Sequence, residues 1–241
     1  MIFGLDVSHF NPGVDLGRAR AEGLEFCIAR VTSARLVGDV VREPQIDSLW
    51  PRFRDEARRH GLVLSAYHRI GAGQTADEQA EMCVQHLGDP AIPLMLDHEG
   101  GAGGLDVFHA VWGAFRRRGV HVYASYFPDW YWERIGKPDL RSIPPLVRSE
   151  YPYREADSPQ AIYRHVRPEH WQGYGGNRVE VLQFSAFARV GGYAPVCVDA
   201  YRGSREDYTR LLGTAPVRTA SEDAVALIRL PRTPVPEVSD D

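Results

Sequence analysis

Four acidic residues stand where short apolar runs end. Asp6 closes the run at 2–6, Asp97 and Glu99 follow the run at 92–96, and Asp199 closes the run at 195–199. Carboxylates gathered in a partly desolvated cleft repel one another, so one is driven to keep its proton while its neighbours stay ionised. A neutral acid beside charged partners is what cleavage of a glycosidic bond requires: one group protonates the leaving oxygen and another faces the cationic transition state. Side chains alternate along a strand, which puts Asp97 and Glu99 on one face, about 6.6–6.8 Å apart along the backbone, and turns His98 to the other. The competing explanation is structural, with the acids serving as strand-end partners for the many arginines. Composition and spacing leave both open.

The elements that must position these acids alternate along the chain. Apolar, β-rich runs occupy 2–6, 26–31, 62–67, 92–96, 121–125, 145–149, 179–185 and 195–199, with helical patterns between most of them. Ile46, Leu49, Trp50, Phe53 and Ala57 share a helical face that Gly61 stops. Thr75 and Glu78 make a capping box ahead of a stripe of Ala76, Ala80, Cys83, Val84 and Leu87. Val107, Ala110, Val111, Ala114 and Phe115 form another, closed by Arg116-Arg117-Arg118-Gly119, a basic run suited to a helix C-terminus. Strand–helix alternation predicts an α/β fold with a parallel sheet, and eight strands favour a closed barrel whose chemistry gathers at the strands' C-terminal ends. In a closed barrel the first and last strands are neighbours, and flattening brings the fourth across to them. Residues 150–178 lack a clean helical stripe, so the last strands are expected without full helices. From Thr214 the chain turns rich in Pro, Thr, Ser and acidic residues, which reads as a linker or tail at 214–241 after a single domain at 1–213.

Composition removes several functions. The 241 residues carry 28 basic and 32 acidic side chains, a net charge of −4, so nothing draws the chain electrostatically to nucleic acid or an anionic membrane. No apolar run approaches the roughly 20 residues of a membrane span, and the N-terminus lacks the basic and apolar regions of a signal peptide. Cys27, Cys83 and Cys197 are odd in number and far apart, which gives neither a disulfide framework nor a zinc site. Lys137 is the single lysine, a bias that points to a GC-rich source. Gly100-Gly-Ala-Gly-Gly104 lacks the lysine of a phosphate loop and reads as a flexible lip beside the acids. His9, His68, Asp97 and Glu99 could form a metal site only without any standard ligand spacing, so no cofactor is expected.

Gly4-Leu-Asp6-Val-Ser8-His9-Phe10 with Val14-Asp15 resembles the N-terminal signature of glycoside hydrolase family 25, the Chalaropsis-type lysozymes. Ser65-Ala-Tyr67-His68, Leu96-Asp97-His98-Glu99, and Leu182-Gln183-Phe184-Ser185 with Val198-Asp199 follow in the family's order, so that the likeness spans residues 2–212. The resemblance implies a flattened TIM-like barrel of irregular (β/α)5(β)3 topology. It also implies N-acetylmuramidase activity on the β-1,4 bond between N-acetylmuramic acid and N-acetylglucosamine in peptidoglycan. By position, Glu99 resembles the general acid, Asp97 its partner carboxylate, and Asp6 and Asp199 the supporting acids. Tyr67, His68, Tyr123, Tyr151 and Gln183 resemble groove-lining residues. A catalytically silent wall-binding or phage structural module is the alternative on the same barrel. Where the family usually has Lys-Ala-Thr-Glu-Gly, this chain reads Arg30-Val-Thr32-Ser33-Ala34, without the acid. A monomeric wall-degrading enzyme without an export signal suggests a phage endolysin, made in the cytoplasm and released through a holin-type membrane lesion.

Overall fold

All eight apolar runs form strands. A computed structural model describes residues 1–214, and in it the strands are β1 (Ile2–Val7), β2 (Phe26–Ser33), β4 (Val63–Arg69), β5 (Leu94–Asp97), β6 (Val122–Tyr126), β7 (Leu146–Ser149), β8 (Val179–Val190) and β9 (Tyr193–Tyr201). A two-residue β3 (Gln45–Ile46) pairs antiparallel with the end of β2. It takes Ile46, expected on the following helix, out to solvent. Every residue of β2 is buried, as a strand covered on both faces must be.

Strands β1, β2, β4, β5, β6, β7 and β8 are parallel neighbours in that order, and β9 lies between β8 and β1 to close the barrel. The expectation of a wholly parallel sheet fails at this last strand. Gly191 and Gly192, at φ +58° and +77°, reverse the chain in a tight turn that residues with a Cβ adopt poorly. β9 therefore runs antiparallel to both neighbours.

Helices α1 (Leu16–Ala21), α2 (Trp50–Arg59), α3 (Ala76–Leu87), α4 (Leu105–Arg117) and α5 (Asp129–Arg134) give five β/α units. Three strands then follow, with only α6 (Pro159–Tyr163) and a 3-10 turn (Pro168–Trp171) between β7 and β8, which is the (β/α)5(β)3 arrangement. The capping box of α3 forms: the Glu78 amide donates to Thr75 Oγ1 at 3.3 Å and the Thr75 amide to Glu78 Oε2 at 2.8 Å. Helix α4 is capped by Arg118, and Gly119 takes φ +75°. Its inner stripe is Phe108, Val111, Ala114 and Phe115, with Phe108 where the sequence suggested Ala110.

Two apolar layers result. One packs the helices against the outside of the barrel. The other fills the barrel with Phe26, Ile28, Met95, Tyr123, Val147 and Val181, and α7 (Arg205–Leu211) closes the lower mouth with Tyr208, whose ring centroid lies 4.3 Å from that of Phe26. Gly4 makes room for that plug, since a Cβ there would meet the Phe26 ring at 2.3 Å. A filled barrel leaves its functional opening at the C-terminal ends of the parallel strands. The segment read as a linker or tail lies outside the described residues, apart from Thr214.

Candidate active site

A cleft of about 410 Å³ opens at that end, with Asp6, Asp97 and Glu99 among its lining residues. Asp97 is the last residue of β5. It is 7% exposed, and its Oδ1 has no hydrogen-bond partner. Burial pushes its carboxyl well above the usual range, and the charge of Glu99 adds to this, while Arg69 and Arg30 pull the other way. Glu99 lies two residues past the strand, yet alternation persists because the His98 amide donates to the Tyr126 carbonyl at 2.8 Å. The Glu99 side chain is 22% exposed and Arg69 Nη2 lies 3.1 Å from its Oε1. Burial raises its carboxyl, against the opposing charges of Arg69 and Arg42. His98 turns away among Phe108, Phe127 and Tyr131, where burial pushes it down to about 4 and keeps it neutral.

A second pair of acids sits on the opposite wall. Gln183 Nε2 donates to Asp6 Oδ2 at 2.7 Å, and the Gln183 carbonyl accepts from the Tyr151 hydroxyl, so one amide ties β8 and the chain after β7 to β1. Burial lifts Asp6 to about 6, against the hydrogen bonds from Gln183 and Asp199. Because β9 is antiparallel, Asp199 pairs with Gly4 while Asp6 faces Cys197. Asp199 is therefore not at a strand exit, as expected, but beneath Asp6. It is 1% exposed, neither of its oxygens meets a conventional donor, and burial followed by the charge of Asp6 drives its carboxyl well upward. The influence of each acid on the other lowers Asp6 and raises Asp199, the direction expected where two buried carboxyls compete for one charge.

Of the expected groove residues, Tyr67, Tyr151 and Gln183 line the cleft. Two do not. His68 is fully buried on the outer face of β4, with Nδ1 2.8 Å from Thr32 Oγ1 and Nε2 3.2 Å from Gln79 Oε1. It follows Tyr67 directly, so alternation turns it outward. Tyr123 lies deeper in the barrel, its hydroxyl 3.0 Å from Ser65 Oγ, because it stands at the start of β6, three residues before Tyr126, the residue level with Asp97. The residues considered for a metal site do not converge: His68 faces outward and His9 is bound to Asp47. Among the described residues no three His, Cys, Asp or Glu side chains converge as a metal-binding group.

Tyr126, Arg30 and Arg69 line the cleft and were not singled out from the sequence. Arg69 stands two residues past Tyr67, so the same alternation placed it inside. Arg30 belongs to the atypical 30–34 segment; its Nε donates to Asp47 Oδ2 at 2.9 Å, a partner 17 residues away that no local pattern announces. The glycine lip is anchored. Asp39 accepts from the Gly101 amide at 3.2 Å and pairs with Arg134 at 2.7 Å, which fastens it to the loop after β2 and to α5.

No protein-family model and no curated protein matches the sequence. Solved structures do match in fold. A bacterial lysozyme from Streptomyces coelicolor is 19% identical, with a TM-score of 0.64 over 89% of this chain and 98% of that one. A family GH25 lysozyme from Aspergillus fumigatus is 18% identical, with a TM-score of 0.64 over 88% and 98%. The catalytic domain of an endolysin from a bacteriophage of Listeria monocytogenes is 18% identical, with a TM-score of 0.62 over 88% and 98%. The chain has the barrel fold of the family 25 glycoside hydrolases.

Proposed function

We propose that this chain is an N-acetylmuramidase that hydrolyses the β-1,4 bond between N-acetylmuramic acid and N-acetylglucosamine in peptidoglycan. The supporting observation is the convergence of Asp97 and Glu99 on one cleft with Asp6 opposite and Asp199 behind it, on a barrel of the lysozyme type. Glu99, the more exposed of the β5 pair, is the group that reaches the glycosidic oxygen and protonates it. Asp97 and Asp6 face the positive charge that develops at the sugar carbon, or hold the water or acetamido group that completes the reaction. Asp199 and Gln183 fix the charge state and direction of Asp6. Tyr67, Tyr126 and Tyr151 supply ring faces suited to sugars, whose C–H faces pack on aromatic surfaces.

The protein acts as a monomer on glycan strands and needs no cofactor in this scheme. No helix among the described residues is long and apolar enough to cross a membrane. Its fold is shared with a phage endolysin catalytic domain, which supports a route to the wall through a membrane lesion made by another protein.

Digestion of purified cell walls, followed by reductive labelling of the new sugar ends, tests the reaction. The expected product carries N-acetylmuramic acid at its reducing end. New N-acetylglucosamine ends, or released peptides without new sugar ends, would refute the assignment.

A further inference from the structure

Arg69 ends β4 in register with Asp97 of β5, so its side chain enters the cleft beside both members of the Asp97–Glu99 pair. Its charge favours the ionised form of both, but its hydrogen bonds do not treat them alike. A single nitrogen, Nη2, makes its polar contacts, at 3.1 Å to Glu99 Oε1 and 3.2 Å to the Gly100 carbonyl, while Asp97 Oδ1 is left without a donor. From this asymmetry we infer that Arg69 is a positioning residue that places the proton shared by Asp97 and Glu99 on Asp97 and leaves Glu99 charged in the free protein. The inference rests on the proposed roles of these two carboxyls and deepens them.

The other groups around Glu99 do not make this choice. Arg42, from the loop after β2, favours the Glu99 charge from further away. Tyr126 on β6 and Cys197 on β9 are both buried and held in their neutral forms. Asp97 itself favours a proton on whichever partner lacks a cation. Arg30, the second cation on the cleft wall, is committed to Asp47 and His9. Arg69 therefore decides between two acids that burial alone would keep protonated together. Glu99 acts as the acid only after a proton reaches it, from Asp97 or from solvent, so the Arg69 contact also sets how far toward alkaline pH the reaction runs.

Arg69→Gln removes the charge and keeps a donor for the Gly100 carbonyl; Arg69→Lys keeps the charge. Carboxyl titration by carbon-13 NMR, assigned with Glu99→Gln and Asp97→Asn, reads the proton directly. In the wild type Glu99 is expected to ionise below Asp97. In Arg69→Gln its midpoint should rise by about one pH unit, the lower end of the effect of an adjacent opposite charge because both side chains are partly exposed. Arg69→Lys should retain most of the wild-type value. The alkaline limb of kcat/KM on soluble glycan should move up with the Glu99 midpoint, a shift that a merely structural role for Arg69 would not produce. An Asp97 midpoint below that of Glu99 in the wild type, or an unmoved Glu99 midpoint in a folded Arg69→Gln protein, overturns the inference. If the wild type releases no muramic acid ends, the proposed reaction fails while the titration still decides the role of Arg69.

Discussion

Asp199→Asn tests whether the acid beneath Asp6 is neutral. A protonated carboxyl and a carboxamide have nearly the same shape and both are uncharged, and the Asn amide can donate to Asp6 as the carboxyl does. If Asp199 keeps its proton in the fold, its folded value lies well above 3.8, and the native state binds a proton that the unfolded chain has released. Stability from that group is then complete below the unfolded value and is lost as pH rises toward the folded one, at about 1.4 kcal/mol per pH unit. Asn lacks this loss. As pH rises from 4.5 to 6.5 the variant should therefore gain steadily on the wild type, with that slope as the upper bound. The wild-type profile alone would not reveal this. Burial pushes His68 and His98 down to about 4, so each contributes stability that grows as pH rises toward the unfolded histidine value. Those terms offset the carboxyl terms in the sum and cancel in the difference between the two proteins. Urea unfolding at half-unit steps from pH 4.5 to 7.5, with m-values compared, measures that difference. Parallel curves would mean that Asp199 ionises in the fold at these pH values, and the one-charge account of the Asp6–Asp199 pair would fall.

Glu99→Gln should cost about 10²- to 10⁴-fold in turnover, the range of a general acid, with an unchanged unfolding midpoint; turnover near the wild-type value removes Glu99 from that role. His68→Leu strands the buried Thr32 hydroxyl and removes one of the two hydrogen bonds at Gln79 Oε1. It should cost about 1–3 kcal/mol in urea unfolding and leave kcat within about twofold, whereas a selective rise in KM would return His68 to the groove. Tyr126→Ala should raise KM by about fivefold, equivalent to roughly 1 kcal/mol of lost stacking, in steady-state kinetics on soluble glycan; a larger effect from Tyr123→Phe would reverse the placement of those two residues.

The barrel was legible because its signals are local. Eight of the strands grow from short apolar, β-rich runs, and the Thr75–Glu78 box and the Arg118–Gly119 stop are written within four residues of the ends they cap. β3 was invisible because two residues carry no period, and Ile46 has the side chain of a helix face while its backbone pairs with Thr32. Asp97 and Glu99 were legible for the same local reason, being two apart at the end of one run. Arg30 was not, since its place on the cleft wall depends on Asp47, a buried acid whose identity as a partner is settled only in three dimensions. Tyr123 was misplaced because it begins β6, three residues below Tyr126, and the register that sets Tyr126 level with Asp97 is fixed only by strand pairing.

The antiparallel return of β9 carries the largest consequence. Had the last strand run parallel to the rest, its acid would have reached the rim and met solvent beside Asp6. Instead the Gly191–Gly192 turn starts β9 at the open end and carries Asp199 downward, opposite Gly4 and against the filled barrel. There it loses water, and burial followed by the charge of Asp6 pushes its carboxyl upward. Gln183 and, after it, Asp199 restrain Asp6, which burial alone would lift further, so that Asp6 stays near 6 and can carry charge at neutral pH. A reversal of chain direction set by two glycines thus takes a fourth acid, which would have crowded the cleft rim, to a place where burial disfavours its charge.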